Sequence, residues 1–368
     1  MKLPRLAVRA LNDYRRLSPL SYLGLRYSLM AGAAQDDRWA AQIAPDVLRR
    51  QAAPAYLPSR QYKQIDENGK LDHRDVRFPC GNEVLAEAAL LAACSAAGGP
   101  FSPTEDVFSY HLASPASLDG CFKPYFKLFT ARHRAIGKAC RRWQDGLVLY
   151  ADIKKFYPSV TPRLAVKVWR EACQAAHLDA DWREIGEHLL GGQRSLNQGL
   201  LIGPMFSHVV GNLMLLGFDK EMRRRFRDRY FRYVDDVALV IPADSKASAL
   251  QFIREQLKPL CLGLNPDKIF DPSAKEWLAN APHQPVDYDE EETTDDKRWM
   301  RFIDRLRCYL MANPNRYEVL VRAFRDEEIR ISLPRYRAGI QDSRYGERFA
   351  RRRASTGFRH LALQRHFE

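Results

Sequence analysis

Two adjacent aspartates sit at the centre of YFRYVDDVALVI (230–241), a run that is apolar on both sides of Asp235-Asp236. An apolar stretch interrupted in the middle by two acids reads as a β-hairpin, with buried arms and the carboxylates in its turn. A second apolar run, GLVLYADI (146–153), reads as another buried strand and ends in Asp152. A carboxylate taken out of water must be hydrogen-bonded, ion-paired or bound to a metal. Asp235 and Asp236 repel each other, and no Lys or Arg lies in the turn to neutralise them. Three carboxylates converging from two strands form an oxygen-rich site of the kind Mg²⁺ takes, leaving positions for water and substrate phosphates. Two such ions about 3.5–4 Å apart activate an attacking hydroxyl and stabilise the leaving oxygen in phosphoryl transfer.

The rest of the chain reads as helices layered on these strands, an α+β arrangement. Residues 1–55 carry Leu, Tyr and Ala at helical spacing, broken by Arg-rich turns and Pro54. Polar-alternating runs on either side of Asn68-Gly69 predict a hairpin closed by Pro79. NEVLAEAALLAACSAA (82–97) predicts a helix ending at Gly98-Gly99, and further helices are expected over 161–176 and 246–260. The expected divisions are a helical extension (1–60), a region of hairpin and helices (61–150), a region holding the three acids (151–280), an acidic linker or loop (281–296) and an Arg-rich helical region (297–368).

Lys and Arg outnumber Asp and Glu by 58 to 45, a net charge of +13 that argues for a polyanionic partner, nucleic acid before an acidic membrane surface. The excess is concentrated: in 297–368, 18 Lys and Arg against 8 Asp and Glu leave +10. Segment 121–145 adds a mixture of aromatics and basic residues, readable either as an amphipathic helix with a solvated basic face or as a phosphate-contacting surface. The seven cysteines are scattered without a C-x-x-C pair, which fits a reducing cytoplasm better than a disulfide framework or a structural zinc site. The N-terminus lacks the apolar core of a signal peptide. From Leu196 to Phe218 there is no charged residue, yet Pro204, Asn197, Asn212 and four glycines make a buried loop and helix the better reading than a membrane span.

DIKKFYPSV (152–160), followed by RYVDDVALV (232–240), resembles motifs A and C of the reverse transcriptase palm. Between them QGLLIGPMFSHVVGNL (198–213) is similar to motif B, and LGLNPDKIF (262–270) to motif D. Upstream, the Asn-Gly hairpin with Arg77, Pro79 and the helix NEVLAEAAL resembles the first fingers motif, and FSYHLASP (108–115) the second. The six occur in family order over roughly 60–280. The GLLIGP form of motif B is closest to bacterial defence-associated, abortive-infection-like reverse transcriptases, and more distant from retron and group II intron enzymes.

The resemblance implies a right-hand polymerase: fingers over 61–150, a palm with an antiparallel sheet and catalytic hairpin over 151–280, and a thumb over 297–368. It implies two-metal nucleotidyl transfer from dNTPs, with two Mg²⁺ ions, or Mn²⁺ as substitute. Asp152 and Asp235 would ligate both, the Ile153 carbonyl would complete one, and Asp236 would be a weaker ligand. Lys268 would protonate or hold the departing pyrophosphate; a solvated turn lysine is the alternative. Tyr157, with Phe156 beside it, stands where the family has the aromatic steric gate against a 2′-hydroxyl; a plain core aromatic is the alternative. Gln198 would touch the nucleotide or the template pair. Leu201 departs from the family's proline. His111 replaces an arginine common in relatives, which shifts the triphosphate contact to Arg74, Arg77, Lys123 or Lys127. Lys123, Lys127, Arg132, Arg134, Arg351, Arg352 and Arg353 are the candidate nucleic-acid contacts. The implied partners are an RNA template, expected to be a dedicated non-coding RNA of an antiphage system, the DNA product and dNTPs, with no membrane; a homo-oligomer or a companion defence protein stays open. The length leaves no room for RNase H, HNH nuclease or integrase domains, so the product is expected to stay with its template or be processed by others. Three further readings stay open: a template-independent or protein-primed polymerase of the same fold, a retron enzyme, and an inactive RNA-binding scaffold.

Overall fold

The structure is a computed structural model that describes residues 3–17, 56–65, 71–117, 120–195 and 199–280, together with 316, 319, 322, 323 and 326. In chain order the main elements are α1 (Leu3–Leu17), β1 (Tyr56–Ile65), β2 (Leu71–Pro79), α2 (Gly81–Ala97), α3 (Tyr125–Arg142), β3 (Gly146–Asp152), α4 (Pro162–Ala175), α5 (Ala180–Ser195), α6 (Met205–Met214), α7 (Leu216–Phe226), β4 (Tyr230–Tyr233), β5 (Asp236–Pro242), α8 (Lys246–Leu257) and α9 (Ala274–Asn280). The fold is mixed helix and antiparallel sheet, as the α+β expectation has it.

Local chemistry accounts for the element ends. The β1–β2 ladder pairs Ile65 with Leu71 across the Asn68-Gly69 segment and Tyr56 with Pro79 at its far end. Helix α2 stops at Gly98 and Gly99, whose φ of +66° and +57° side chains seldom adopt. Thr161 caps α4 by accepting the Leu164 N–H at 3.4 Å, and Pro162 occupies the first helical position, where no N–H is needed.

The second sheet has the order β3-β5-β4, so the hairpin's second arm is central, between its own partner and the strand that ends in Asp152. Side chains alternate across it. Val148, Phe231, Ala238 and Val240 pack with Ile136, Ala139 and Cys140 of α3 and Trp277 of α9. Leu147, Leu149, Val237, Leu239 and Ile241 enter the larger core with α2, α4, α6, α7 and α8. Cover on both faces is why these strands read as unbroken apolar runs. Every residue of α6 is buried, so residues 205–214 of the uncharged stretch are core helix, entered from the 199–204 loop. Among the described residues no helix is long and apolar enough to cross a membrane.

The expected divisions at 60/61 and 150/151 both fall inside strands, β1 and β3. Hydrogen-bond ladders, which composition does not register, join the residues on either side. The acidic stretch 287–296 lies outside the described residues, as does all of 297–368 except the five positions named above.

Candidate active site

The hairpin turn is only Val234-Asp235, between Tyr233 at the end of β4 and Asp236 at the start of β5. Val234 sits at φ +57°, a left-handed conformation costly for a β-branched residue. Its surroundings hold it there. The Val234 N–H donates to Ser109 Oγ at 2.8 Å, and the Arg232 guanidinium donates to its carbonyl at 2.8 Å. Arg232 is buried and forks onto both oxygens of buried Asp219 at 2.7 Å each, with a further bond to Asn212 Oδ1 at 3.2 Å. Tyr230 donates its hydroxyl to Asp219 at 2.5 Å, and Asn212 Nδ2 donates to the Ser109 carbonyl at 3.1 Å. Burial alone would weaken the Arg232 charge, but the fork with Asp219 outweighs it and raises the pKa above the ordinary arginine value.

In front of this network the acids meet. Register sets Asp152 opposite Asp236, and the Ile153 N–H donates to the Asp235 carbonyl at 3.0 Å. Residues 262–273 run back along the free edge of β3: the Tyr150 N–H donates to the Phe270 carbonyl and the Asn265 N–H to the Asp152 carbonyl, both at 2.8 Å. That return brings Lys268 beside Asp152, donating to Oδ1 at 3.1 Å. Burial, then the charge of Asp236, pushes the Asp235 carboxyl up to about 6. Asp236 is raised as well, first by desolvation and then by Asp152. Lys268 is raised by its hydrogen bond with Asp152.

The donor set suits a hard divalent cation. All three side chains are carboxylates, two are held above their ordinary pKa by burial and mutual repulsion, and an ammonium already lies among them. Among the described residues no group of three or more His, Cys, Asp or Glu side chains is placed to hold a metal ion, so the match lies in the type of donor and not in a formed coordination shell.

Tyr157 lies in the helical turn Phe156–Ser159, which follows Lys155 in the left-handed region. The segment 199–204 is pressed against it. The Leu200 N–H donates to the Tyr157 carbonyl at 2.9 Å, and a Cβ on Gly199 would stand 2.4 Å from the Pro158 carbonyl oxygen. On its other side, Gly203 at φ +124° leaves 2.2 Å between a would-be Cβ and the Arg77 carbonyl oxygen, while the Arg77 N–H donates to Ile202 at 2.8 Å. The two glycines mark where one loop passes between two backbones.

Several expected roles change with this geometry. Phe156 is 2% exposed, its ring in the core, so it offers no nucleotide contact. Arg132 is 3% exposed and donates to the Asp236 carbonyl at 3.2 Å, behind the turn rather than on a phosphate-facing surface, because α3 turns that position onto the sheet. The His111 ring bonds the Val107 carbonyl instead of reaching outward. Lys123, just before α3, is exposed; within α3 Arg134, Lys138 and Arg141 are exposed and Lys127 is half-buried, so the helix presents a basic face; Arg74 is exposed and Arg77 half-buried. Gln198, Arg351, Arg352 and Arg353 lie outside the described residues.

Sequence reasoning missed Asp219, Ser109, His208 and Glu87. Glu87 is wholly buried in the Ala/Leu-rich helix α2 and accepts the Met205 N–H at 2.8 Å and the Phe206 N–H at 3.4 Å, capping α6 from a distance. Burial pushes its carboxyl up to about 8. An acid in the apolar run of this helix, one turn after Glu83, was the signal available for Glu87.

No protein-family model matches the chain, and no curated protein matches it. Among solved structures it is similar to a telomerase from Candida albicans in complex with the TWJ fragment of telomeric RNA, at a TM-score of 0.36 and 12% identity. The match covers 59% of this chain and 43% of the other, less than half of that protein's chain.

Proposed function

We propose that the chain is an RNA-directed DNA polymerase of right-hand architecture, with the β3-β5-β4 sheet as palm, β1, β2 and α2 in the fingers and the Arg-rich 297–368 as thumb. One observation carries the reading: Asp152 from one strand and Asp235-Asp236 from a clamped hairpin turn meet beside Lys268, which pairs with Asp152 and leaves the acids only partly compensated. The order of the six motif-like segments supports it.

In this reading Asp152, Asp235, Asp236 and the Ile153 carbonyl would hold two Mg²⁺ ions, which would supply positive charge for nucleotidyl transfer. The chain's own residues do the rest. The Arg232–Asp219 network fixes the turn that presents the carboxylates. Lys268 shifts from Asp152 to the pyrophosphate and delivers its proton there. Arg74 and Arg77 draw in the triphosphate, and the Tyr157 ring lies flat against the deoxyribose. The defence setting is proposed from the GLLIGP form of the 198–204 loop, with a dedicated non-coding RNA as template.

The test is incorporation of labelled dNTPs on a primed RNA template with and without Mg²⁺, beside sequencing of nucleic acid that co-purifies with the protein. Metal-dependent, template-directed synthesis is expected. Binding without synthesis overturns the reading in favour of a scaffold. Affinity for RNA is expected to fall with salt by roughly 0.7–0.9 log units per log unit for each phosphate neutralised.

A further inference from the structure

We propose that His208 is a positioning residue for sugar selection: from α6 it locks the Tyr157 ring in place, with Tyr110 stacked behind it. The inference rests on the reading above, in which Tyr157 faces the sugar.

Three chain segments meet here. The Tyr157 hydroxyl shares a 2.6 Å hydrogen bond with His208 Nδ1, and the two rings stand 5.5 Å apart at 78°. His208 is 6% exposed. Its imidazole lies on the Tyr110 ring at 3.8 Å and 5°, and the Phe122 edge closes it at 6.1 Å. Tyr110 itself sits at φ +51°, so its backbone is held in an unfavourable region with its ring against the histidine. One turn further along α6, Gly211 makes room: a Cβ there would stand 3.4 Å from Tyr157 Cε1 and 3.2 Å from Phe156 Cε1. The Tyr157 backbone is tied as well, through its carbonyl and Leu200.

A steric filter discriminates only as well as its wall resists displacement. A tyrosine held at its Cβ alone can change rotamer and give way to an added hydroxyl. Tethering the far end of the ring to a buried, stacked imidazole removes that escape. The tether also persists through the working pH range, because burial keeps His208 neutral, with its pKa lowered to about 3. The apolar surroundings strengthen the bond, since no water competes for it.

The experiment compares dNTP and rNTP incorporation, as the ratio of their kcat/KM values, in the parent and in five variants whose melting curves are recorded in parallel. His208→Phe keeps the volume and the stack on Tyr110 but removes the hydrogen bond. Tyr157→Phe removes the same bond from the other side with little risk to folding. Each is expected to lower the ratio about fivefold, the factor carried by one net hydrogen bond. The double variant is expected to lose no more than Tyr157→Phe alone, because both singles delete the bond to His208 and only Tyr157→Phe also removes the hydroxyl's interaction with Tyr110. His208→Asn, whose amide reaches the Nδ1 position, is expected to restore part of the ratio. Tyr157→Val, which removes the wall, is expected to lose the most. A parent-like ratio in both His208→Phe and Tyr157→Phe, with Tyr157→Val still losing discrimination, overturns the lock and leaves the gate standing. A parent-like ratio in Tyr157→Val overturns gate and lock together. A parent that incorporates neither sugar overturns the reading on which both stand.

Discussion

Two acidic regions flank one hairpin turn and differ in how their charge is met. Beneath the turn, Asp219 is met by the Arg232 guanidinium at 2.7 Å on each oxygen and by the Tyr230 hydroxyl. Above it, Asp235 and Asp236 face Asp152 with buried Arg132 behind the turn and exposed Lys268 in front as partial compensation, and their pKa values still rise. The lower charge is matched by the fold, and so it is structural: it holds Val234 in the left-handed conformation that aims the upper charges. The upper charges are matched only in part, which is the feature on which the cation site proposed above rests.

The largest expected effect tests the upper region. Asp235→Asn is expected to cut metal-dependent synthesis by at least about a thousandfold, ~4 kcal/mol of barrier, while the metal-free melting temperature stays level or rises. Parent-like synthesis by that variant breaks the site assignment. Next comes the lower region, with the opposite signature. Asp219→Asn strands a buried guanidinium and is expected to cost about 3–5 kcal/mol of stability, read by chemical denaturation. A loss under ~1 kcal/mol would mean that the network does not clamp the turn.

Smaller effects follow from the raised carboxyls. Asp235 titrates near 6 in the folded chain against about 4 when unfolded. Between those values the folded state holds more protons, so metal-free stability is expected to rise as pH falls from 7 to 5, by up to ~1 kcal/mol. Asp235→Asn should flatten that rise, and an unchanged slope would place the titration elsewhere. Glu87 gives the same sign in a higher window. With a folded pKa of about 8, its buried carboxyl makes the parent lose stability as pH rises from 7 to 9, by about 1 kcal/mol. Glu87→Gln is expected to keep accepting the Met205 N–H and to remove that loss, measured as melting temperature against pH.

How much of this was legible in the sequence depends on the range of the interaction. The hairpin, the strand ending in Asp152 and the helix stops at Gly98-Gly99 were readable, because patterning over a few residues fixes them. Arg132 and Phe156 were misassigned for the complementary reason: a basic or aromatic residue beside a functional segment looks surface-directed until the helix phase turns it inward. Glycines at 199 and 203 could be read as loop punctuation, but not as the two points where a loop squeezes between Pro158 and Arg77.

By itself the sequence determined the local β and helical periods and the placing of two acids in a turn that holds no Lys or Arg, since both are properties of adjacent side chains. Only the tertiary structure decided which charges are cancelled. Asp219 and Arg232 are 13 residues apart, Asp152 and Lys268 116, and Tyr157 and His208 51. Whether a polar group is satisfied depends on what the chain folds against it, and burial raises the energetic stake of that pairing without leaving any pattern in the residues on either side.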